Sequence, residues 1–453
     1  MRKCRFFAAI LSLIVALAAL CPAAMALEQP ELSAKAALLM DAKYDQVLYE
    51  KNADTRLEPA SLTKVMTAML VLEAVDAGQL SMSQEITVRS VYHQGSYYGF
   101  EVGDKLRVED LLYCMMVSSA NDAASILART VDEDEETFAA RMNAKAAELG
   151  CTNTNFVNPH GMPVEGHYST ARDMYLIARK AMEHETFRTI VATKQYTMPA
   201  IPKSDGSGET ESRKIYNTNA LLSNWHFGSD YLYSKAIGIK TGTASGNNYC
   251  LLSAAQDEEQ YLICVVLEAP MVPLDNGKND RRQFSESRQL LDWGFNNFSR
   301  REIVDTVTPI AQVGVTLSAT EHVLVRPEAQ LERTLPNDMD TDKVVRTIQL
   351  DSDSVDAPVE EGQVLGKLVL TYEGETLGAV NLVAVRTVER SALLYRLNQI
   401  KKFLCHPIVR IVAAVAVVAI VVLVLRKILT PSRRNRYGSK RYSGRRNYRG
   451  RRR

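Results

Sequence analysis

Residues 411–425 read IVAAVAVVAIVVLVL, fifteen apolar side chains without a break. Thirteen Lys and Arg follow between Arg426 and Arg453, with no acidic residue among them. Ile408, Val409, Ile428 and Leu429 extend the apolar run, and Arg410, Arg426 and Lys427 can snorkel. The run therefore reaches the roughly 20 residues a helix needs to cross a bilayer. The positive-inside rule puts the basic end in the cytoplasm. At the other terminus Met1-Arg-Lys-Cys-Arg5 is a positive start, residues 6–20 are apolar, and Ala24-Met25-Ala26 is a small-residue cleavage site. That is the pattern of a secretory leader over residues 1–26, with an uncleaved anchor as the alternative. Cys21 follows Leu20, which is bulkier than a lipoprotein signal requires. Leader and terminal anchor together place residues 27 to about 405 outside the cytoplasmic membrane, and any function must work there.

The formal net charge of +1 conceals this asymmetry. Without the tail, 41 basic side chains face 53 acidic ones, so the body is mildly acidic. The tail, RYGSKRYSGRRNYRGRRR, has the basic and aromatic texture of a nucleic-acid binder. A topology anchor against anionic lipid explains it better, so membrane lipid rather than nucleic acid is the expected partner. Loss of the leader leaves Cys114, Cys151, Cys250, Cys264 and Cys405. An odd number without regular spacing is no disulfide framework, and no CxxC pair points to a metal. Cys114, Cys250 and Cys264 lie in apolar runs, as packed free thiols do.

Within the body, residues 34–50 alternate as two strands around a polar turn at 41–45. Helices are expected over 61–77, 104–118, 122–130 and 135–149, with Gly78 and Gly150 closing two of them. Residues 203–214, KSDGSGETESRK, read as an exposed loop. Three strand-like runs follow at 236–243, 249–255 and 261–268, then a helix at 283–298. Strands, helices, strands and a closing helix imply an α+β fold with helices on an antiparallel sheet. Beyond residue 301 short alternating segments take over, with Glu373-Gly374 as a hairpin turn. Residues 391–405 return to helical spacing and carry Leu393, Leu394, Leu397, Ile400 and Leu404 on one face, which suits a helix lying on a membrane surface.

Three short motifs carry the chemistry. In Ser61-Leu-Thr-Lys64 the two polar ends share a helix face, so the amine can reach the hydroxyl. The following VMTAMLVLEAV is apolar nearly all round and belongs in a core. Burial there disfavours the ammonium and makes a neutral lysine available as a base. Ser61 at a helix start also has N–H groups to offer an oxyanion. Ser119-Ala120-Asn121 offers a hydroxyl that can relay protons and an amide that can hold a carbonyl or a lysine. Lys240-Thr241-Gly242 lies on a strand, where glycine permits close backbone approach. Its cation and hydroxyl suit a carboxylate-ended peptide laid along that strand. Taken singly, each has a plain reading: a capping serine with a snorkelling lysine, a cap for the helix opened by Asp122, an edge strand with a solvated lysine.

In this order, on helix, loop and strand, the three motifs are the signature of penicillin-binding proteins and active-serine β-lactamases. The chain resembles the low-molecular-mass penicillin-binding proteins, the serine-type D-alanyl-D-alanine carboxypeptidase family. PASLTKVMTAMLVLE, VGDKLRVEDLLYCMMVSSANDAA, FVNPHGM, HYSTARDMYLIAR, IGIKTGTA and LLDWGF all look like that family's segments, in its order, over roughly residues 30–400. The resemblance implies an α+β penicillin-binding-protein/β-lactamase-like domain, then a small β-rich domain and a C-terminal membrane helix. The expected organisation is a signal peptide (1–26), a D,D-peptidase catalytic domain (27–300), a β-rich domain (301–390), an amphipathic juxtamembrane helix (391–406), a transmembrane helix (407–429) and a basic cytoplasmic tail (430–453).

The implied activity is removal of the terminal D-alanine from peptidoglycan stem peptides ending in D-Ala-D-Ala, with covalent inhibition by β-lactams and no cofactor or metal. Ser61, Lys64 and Ser119 are the implied catalytic residues. Asn121, Lys240, Thr241, Gly242 and Thr243 are the implied substrate-binding residues, with the Ser61 and Thr243 N–H groups as the oxyanion donors. The family often carries an arginine near LLDWGF that helps bind the carboxylate. Arg281 and Arg282 are candidates, but the spacing is off by about one residue and neither is assigned. A family member usually ends on an amphipathic helix, so a true span and an arginine-rich tail depart from its pattern. A β-lactamase would need a further Glu in an E-x-x-L-N segment, which is missing. A zinc carboxypeptidase would need clustered ligands, whereas His160 and His167 lack an HExxH setting and His160 reads as a turn residue. A peptide-binding scaffold without catalysis would need neither Ser61 nor Lys64.

Overall fold

The computed structural model describes residues 27–202 and 208–429. The leader, its cleavage site, Cys4, Cys21 and the basic tail from residue 430 lie outside the described residues. The described residues form two compact units, one running up to Ile303 and including Glu332–Lys343, the other made of Val304–Leu331 and the described residues from Val344 on.

The first unit is built on five antiparallel strands: β1 (Ala36–Asp41), β2 (Gln46–Lys51), β3 (Ala236–Ala244), β4 (Asn248–Gln256) and β5 (Tyr261–Ala269), in the order β2-β1-β5-β4-β3. Successive side chains on a strand point to opposite faces, and here both faces are covered. Ala36, Leu38 and Met40 of β1 join one core with Val65, Met66 and Leu111, while Ala37 and Leu39 join another with Phe284, Leu290 and Leu291. All six residues of β1 are consequently buried, and the central strands read as near-continuous apolar runs rather than as an alternation.

One face carries helices α1 (Lys64–Asp76), α2 (Val108–Val117), α3 (Asn121–Val131), α4 (Glu135–Glu148), α5 (Ala171–Ala181) and α6 (Glu185–Ala192); α7 (Arg282–Asn297) covers the other. In α1 ten of thirteen residues are buried, as its all-round apolarity demands. Its Val, Met and Leu side chains each contribute about 1.5–3 kcal/mol of burial, enough to anchor the helix with a lysine at its head.

The sequence-based boundaries differ from the structure in three places. Residues 60–63 form a 3-10 turn and α1 begins only at Lys64. The helix expected from residue 104 starts at Val108, because Lys105–Arg107 is a strand paired with Glu85–Thr87. Its first turn then holds Glu109 and Asp110, favourably placed at the positive end of the helix dipole. Part of the expected 203–214 loop is strand: Arg213–Tyr216 pairs with Gln195–Met198. Residues 203–207 lie outside the described residues.

In the second unit a six-stranded sheet holds Ala311–Thr316, His322–Pro327, Val345–Leu350, Ser354–Asp356, Val364–Tyr372 and Glu375–Ala384. Val313, Val323, Val325, Leu368, Leu370 and Leu382 fill its core. Its longest hairpin turns at Glu373 (φ 49°) and Gly374 (φ 92°), the two left-handed residues that a tight two-residue hairpin needs. Then come α8 (Ala392–Cys405), with Leu393, Leu397, Ile400 and Leu404 exposed, and α9 (Pro407–Leu429). Helix α9 has 23 residues, its most apolar 18-residue stretch has a mean hydropathy of 3.2, and among the described residues it alone is long and apolar enough to cross a membrane. At 1.5 Å per residue it extends about 35 Å, against a hydrocarbon core of about 30 Å.

Candidate active site

Ser61 lies in the 3-10 turn at the head of α1, and Lys64 is the first residue of that helix. The three-residue offset brings Lys64 Nζ to 3.0 Å from Ser61 Oγ. Lys64 is completely buried and donates to Asn121 Oδ1 (2.6 Å) and to the His160 carbonyl (2.7 Å). Burial, aided by the nearby charge of Lys240, holds its pKa well below that of an ordinary lysine; Asp122 pulls weakly the other way. A neutral amine has two N–H groups and one lone pair. With the Asn121 and His160 oxygens on its N–H groups, that neutral form would turn its lone pair to the serine hydroxyl 3.0 Å away.

Hydrogen bonds from the neighbouring threonines explain why the His160 carbonyl sits there. Thr67 Oγ1 donates to the Pro159 carbonyl (2.6 Å), and Thr63 Oγ1 pairs with His167 Nε2 (2.9 Å), so the NPHG loop is fastened to α1. Gly161 has φ +82°, and a Cβ there would lie 1.9 Å from the Ala60 carbonyl oxygen. Only glycine permits that approach. His160 contributes its carbonyl, while its ring stacks on Tyr92. Burial lowers the pKa of His160 to about 3 and of His167 to about 4, so both rings are neutral.

Ser119 precedes α3 in the left-handed region (φ +66°), a conformation that costs a non-glycine residue roughly 1 kcal/mol or more. Asn121 opens α3, and its backbone N–H and Nδ2 donate to the carbonyls of Ser96 and Gln94, both at 2.7 Å. Asp122, also fully buried, accepts backbone N–H bonds from Tyr98, Gly99 and Phe100 at 2.8–3.3 Å. These two residues tie the loop over residues 94–100 to the head of α3.

The third group comes from β3, the last strand of the sheet. Lys240 and Gly242 point into the molecule and Thr241 and Thr243 outward, as strand alternation requires. Lys240 Nζ is buried beside the Thr241 carbonyl (3.2 Å), and burial lowers its pKa to about 7. A Cβ on Gly242 would meet Ala60 Cβ and the Pro59 carbonyl at 3.3 Å, so glycine lets the serine turn pack on the strand. Thr241 Oγ1 pairs with Thr218 Oγ1 at 2.6 Å.

Ser61, Ser119, Asn121, Thr241, Gly242 and Thr243 line one cleft of about 500 Å³; Lys64 and Lys240 lie buried behind it. All eight motif residues thus converge, although they come from three separate stretches of chain. The cleft also holds Arg281, whose guanidinium lies over Phe227 (4.5 Å) and Tyr249 (4.8 Å). Arg282 turns away to Asp280 at 3.3 Å. Spacing along the chain could not separate the two arginines; the start of α7 does. Among the described residues no cluster of His, Cys, Asp and Glu has metal-ligating geometry. The five cysteines among the described residues are free, four of them buried.

A family profile described as D-alanyl-D-alanine carboxypeptidase matches residues 23–271, and one described as penicillin-binding protein 5, C-terminal domain, matches residues 298–390. The chain is 32% identical over 395 residues to the D-alanyl-D-alanine carboxypeptidase DacC of Escherichia coli, covering 83% of this chain and 90% of that protein. To DacF of Bacillus subtilis it is 29% identical, covering 80% and 87%. Penicillin binding protein 5 from Haemophilus influenzae superposes with a TM-score of 0.64 at 28% identity, over 81% of this chain and all of that one.

Proposed function

The chain belongs to the serine-type D-alanyl-D-alanine carboxypeptidase family, and from that premise we propose that it removes the terminal D-alanine from peptidoglycan stem pentapeptides through an acyl-enzyme on Ser61. One observation carries the reading: a buried, desolvated Lys64 amine lies 3.0 Å from Ser61 Oγ and also donates to Asn121 Oδ1 and the His160 carbonyl.

The peptide lies antiparallel to β3, whose outer edge has no partner strand among the described residues. Thr241 and Arg281 take its terminal carboxylate, and Asn121 orients its backbone. Lys64 accepts the Ser61 proton as Oγ attacks the carbonyl carbon of the penultimate D-alanine. The oxyanion is held by the N–H groups of Ser61 and Thr243, each such donor being worth about 3 kcal/mol of transition-state stabilisation. With its pKa near 7, Lys240 both carries and yields a proton at neutral pH. It and Ser119 pass one to the leaving amine as the C–N bond breaks. Water then hydrolyses the ester and restores Ser61. A β-lactam presents the same carbonyl and carboxylate, acylates Ser61 and leaves slowly.

Helix α9 holds the enzyme in the membrane with residues 27 to about 405 outside and the basic tail inside; α8 lies along the outer surface. The full-length protein in detergent, treated with a fluorescent penicillin, tests the reading. A lasting adduct mapped to Ser61, absent from Ser61→Ala and at least 1000-fold slower to form in Lys64→Ala, is expected, together with D-alanine release from a pentapeptide. Rapid penicillin turnover without an adduct points to a β-lactamase instead. No labelling of folded wild type would leave a non-catalytic peptide binder.

A further inference from the structure

Beside the cleft is a second concavity of about 560 Å³ that the reaction does not use. Its floor is a stacked pair of rings, Tyr216 and Trp225, with centroids 3.7 Å apart and planes within 4° of parallel. Trp225 remains 61% exposed although one ring face is covered by Tyr216. Around the pair stand the polar Lys194, Gln195, Ser223 and Asn224 and the apolar Leu222 and Leu232. The two rings are joined to the cleft by the chain itself. Tyr216 is two residues before Thr218, whose hydroxyl bonds Thr241, and Trp225 is followed by His226 and Phe227, which line the cleft.

A tryptophan held flat by a tyrosine, with its outer face to solvent, presents a rigid apolar plate of about one six-membered ring. The groups at its edge are two amides, a hydroxyl and an ammonium, which both donate and accept. A lipid chain or an apolar helix would cover Leu232 but leave the exposed Lys194, Gln195 and Asn224 without partners. A pyranose matches both parts: axial C–H groups on one face lie on the indole, while hydroxyl and acetamide groups meet the amide rim. The volume accommodates one or two sugar rings.

We propose that the Trp225 platform binds an N-acetylated hexosamine of the wall glycan, alongside the Thr241 end of the cleft. The inference rests on the carboxypeptidase reading for the identity of the polymer. The glycan bound there tethers the enzyme to its substrate, so the contact lowers KM for glycan-linked pentapeptide and leaves the chemical step alone.

The test uses full-length protein in detergent. Saturation-transfer NMR with the N-acetylglucosamine tetramer should show sugar signals for wild type and none for Trp225→Ala. In parallel, D-alanine release is compared on uncrosslinked glycan strands bearing pentapeptide and on an N-acetylated tripeptide ending in D-Ala-D-Ala. Trp225→Ala should raise KM on the strands about 5- to 10-fold at unchanged kcat. Its kcat/KM on the tripeptide and its penicillin labelling should stay within twofold of wild type, which also certifies that the variant folds. Trp225→Phe should recover part of the strand affinity. Equal sugar signals in wild type and Trp225→Ala would overturn the proposal, as would a parallel loss on both substrates. Sugar binding is read without catalysis. A wild type that binds the tetramer through Trp225 yet releases no D-alanine from either substrate would refute the carboxypeptidase reading and leave the platform standing.

Discussion

Replacing Asp122 by Asn tests whether one buried carboxylate organises the cleft. Asp122 is inaccessible to solvent, and its Oδ2 accepts from Tyr98, Gly99 and Phe100 while Oδ1 accepts from Tyr98 and Ala123. An amide can keep only one of these oxygens; the other becomes an NH₂ facing N–H donors. The favoured orientation keeps the Oδ2 partners and loses the Ala123 bond, together with the charge that strengthens all the others. Each hydrogen bond to a charged group is worth about 1.5–3 kcal/mol, so the loss is on the order of 2–4 kcal/mol. For a unit of this size, roughly 2 °C of Tm per kcal/mol gives a drop of about 4–8 °C. The loop at residues 94–100 is freed, and with it the carbonyls that position Asn121, so penicillin acylation should slow by at least tenfold. A second readout has a definite sign. Asp122 raises the pKa of Lys64, so its neutralisation lowers that pKa further. The acid limb of acylation, where Lys64 gains its proton, should then move to lower pH. Differential scanning calorimetry and the pH profile of penicillin acylation measure both. A Tm within 1 °C of wild type, or an acid limb displaced to higher pH, would refute the reasoning.

Other expectations follow from single contacts. Gly161→Ala places a methyl 1.9 Å from the Ala60 carbonyl at a left-handed φ, so it should cost about 3 kcal/mol or more and displace the Ser61 turn, read as lost thermal stability and lost penicillin labelling. Lys240 titrates near pH 7 when folded and near 10.5 when unfolded, so between those values the unfolded chain holds the extra proton and stability rises with pH, by at most about 1.4 kcal/mol per unit. Lys240→Met should flatten the rise of Tm between pH 7 and 10. Cys151, Cys250 and Cys264 are buried with thiol pKa values pushed up to about 12, and Cys114 is pushed up too, whereas Cys405 is exposed. The native mature protein should therefore react with one equivalent of a thiol reagent quickly, and with five after denaturation.

Residue order alone determined whatever depends on neighbours in the chain. The three-residue offset from Ser61 to Lys64 is a helical contact wherever the segment sits, the hairpin at Glu373-Gly374 is local backbone chemistry, and the apolar run of α9 needs no partner to declare its solvent. The all-apolar strands and α1 likewise announced a core, since period and composition are properties of a segment. The remainder depended on which segments the sheet and helices bring together. The apolar helix already foretold the burial that depresses Lys64, but the partners that hold its amine, Asn121 and the His160 carbonyl, reach it from 57 and 96 residues away. Asp122 reads in the sequence as an ordinary helix-start acid; only the returning loop reveals it as a clamp. Arg281 and Arg282 are chemically identical neighbours, distinguished because the start of α7 sends one over Phe227 and the other to Asp280. Trp225 carries no motif at all, and its platform exists because Tyr216, on another segment, stacks beneath it. Local geometry is encoded within a few residues, whereas desolvation and the convergence of distant side chains arise only when the chain has closed on itself.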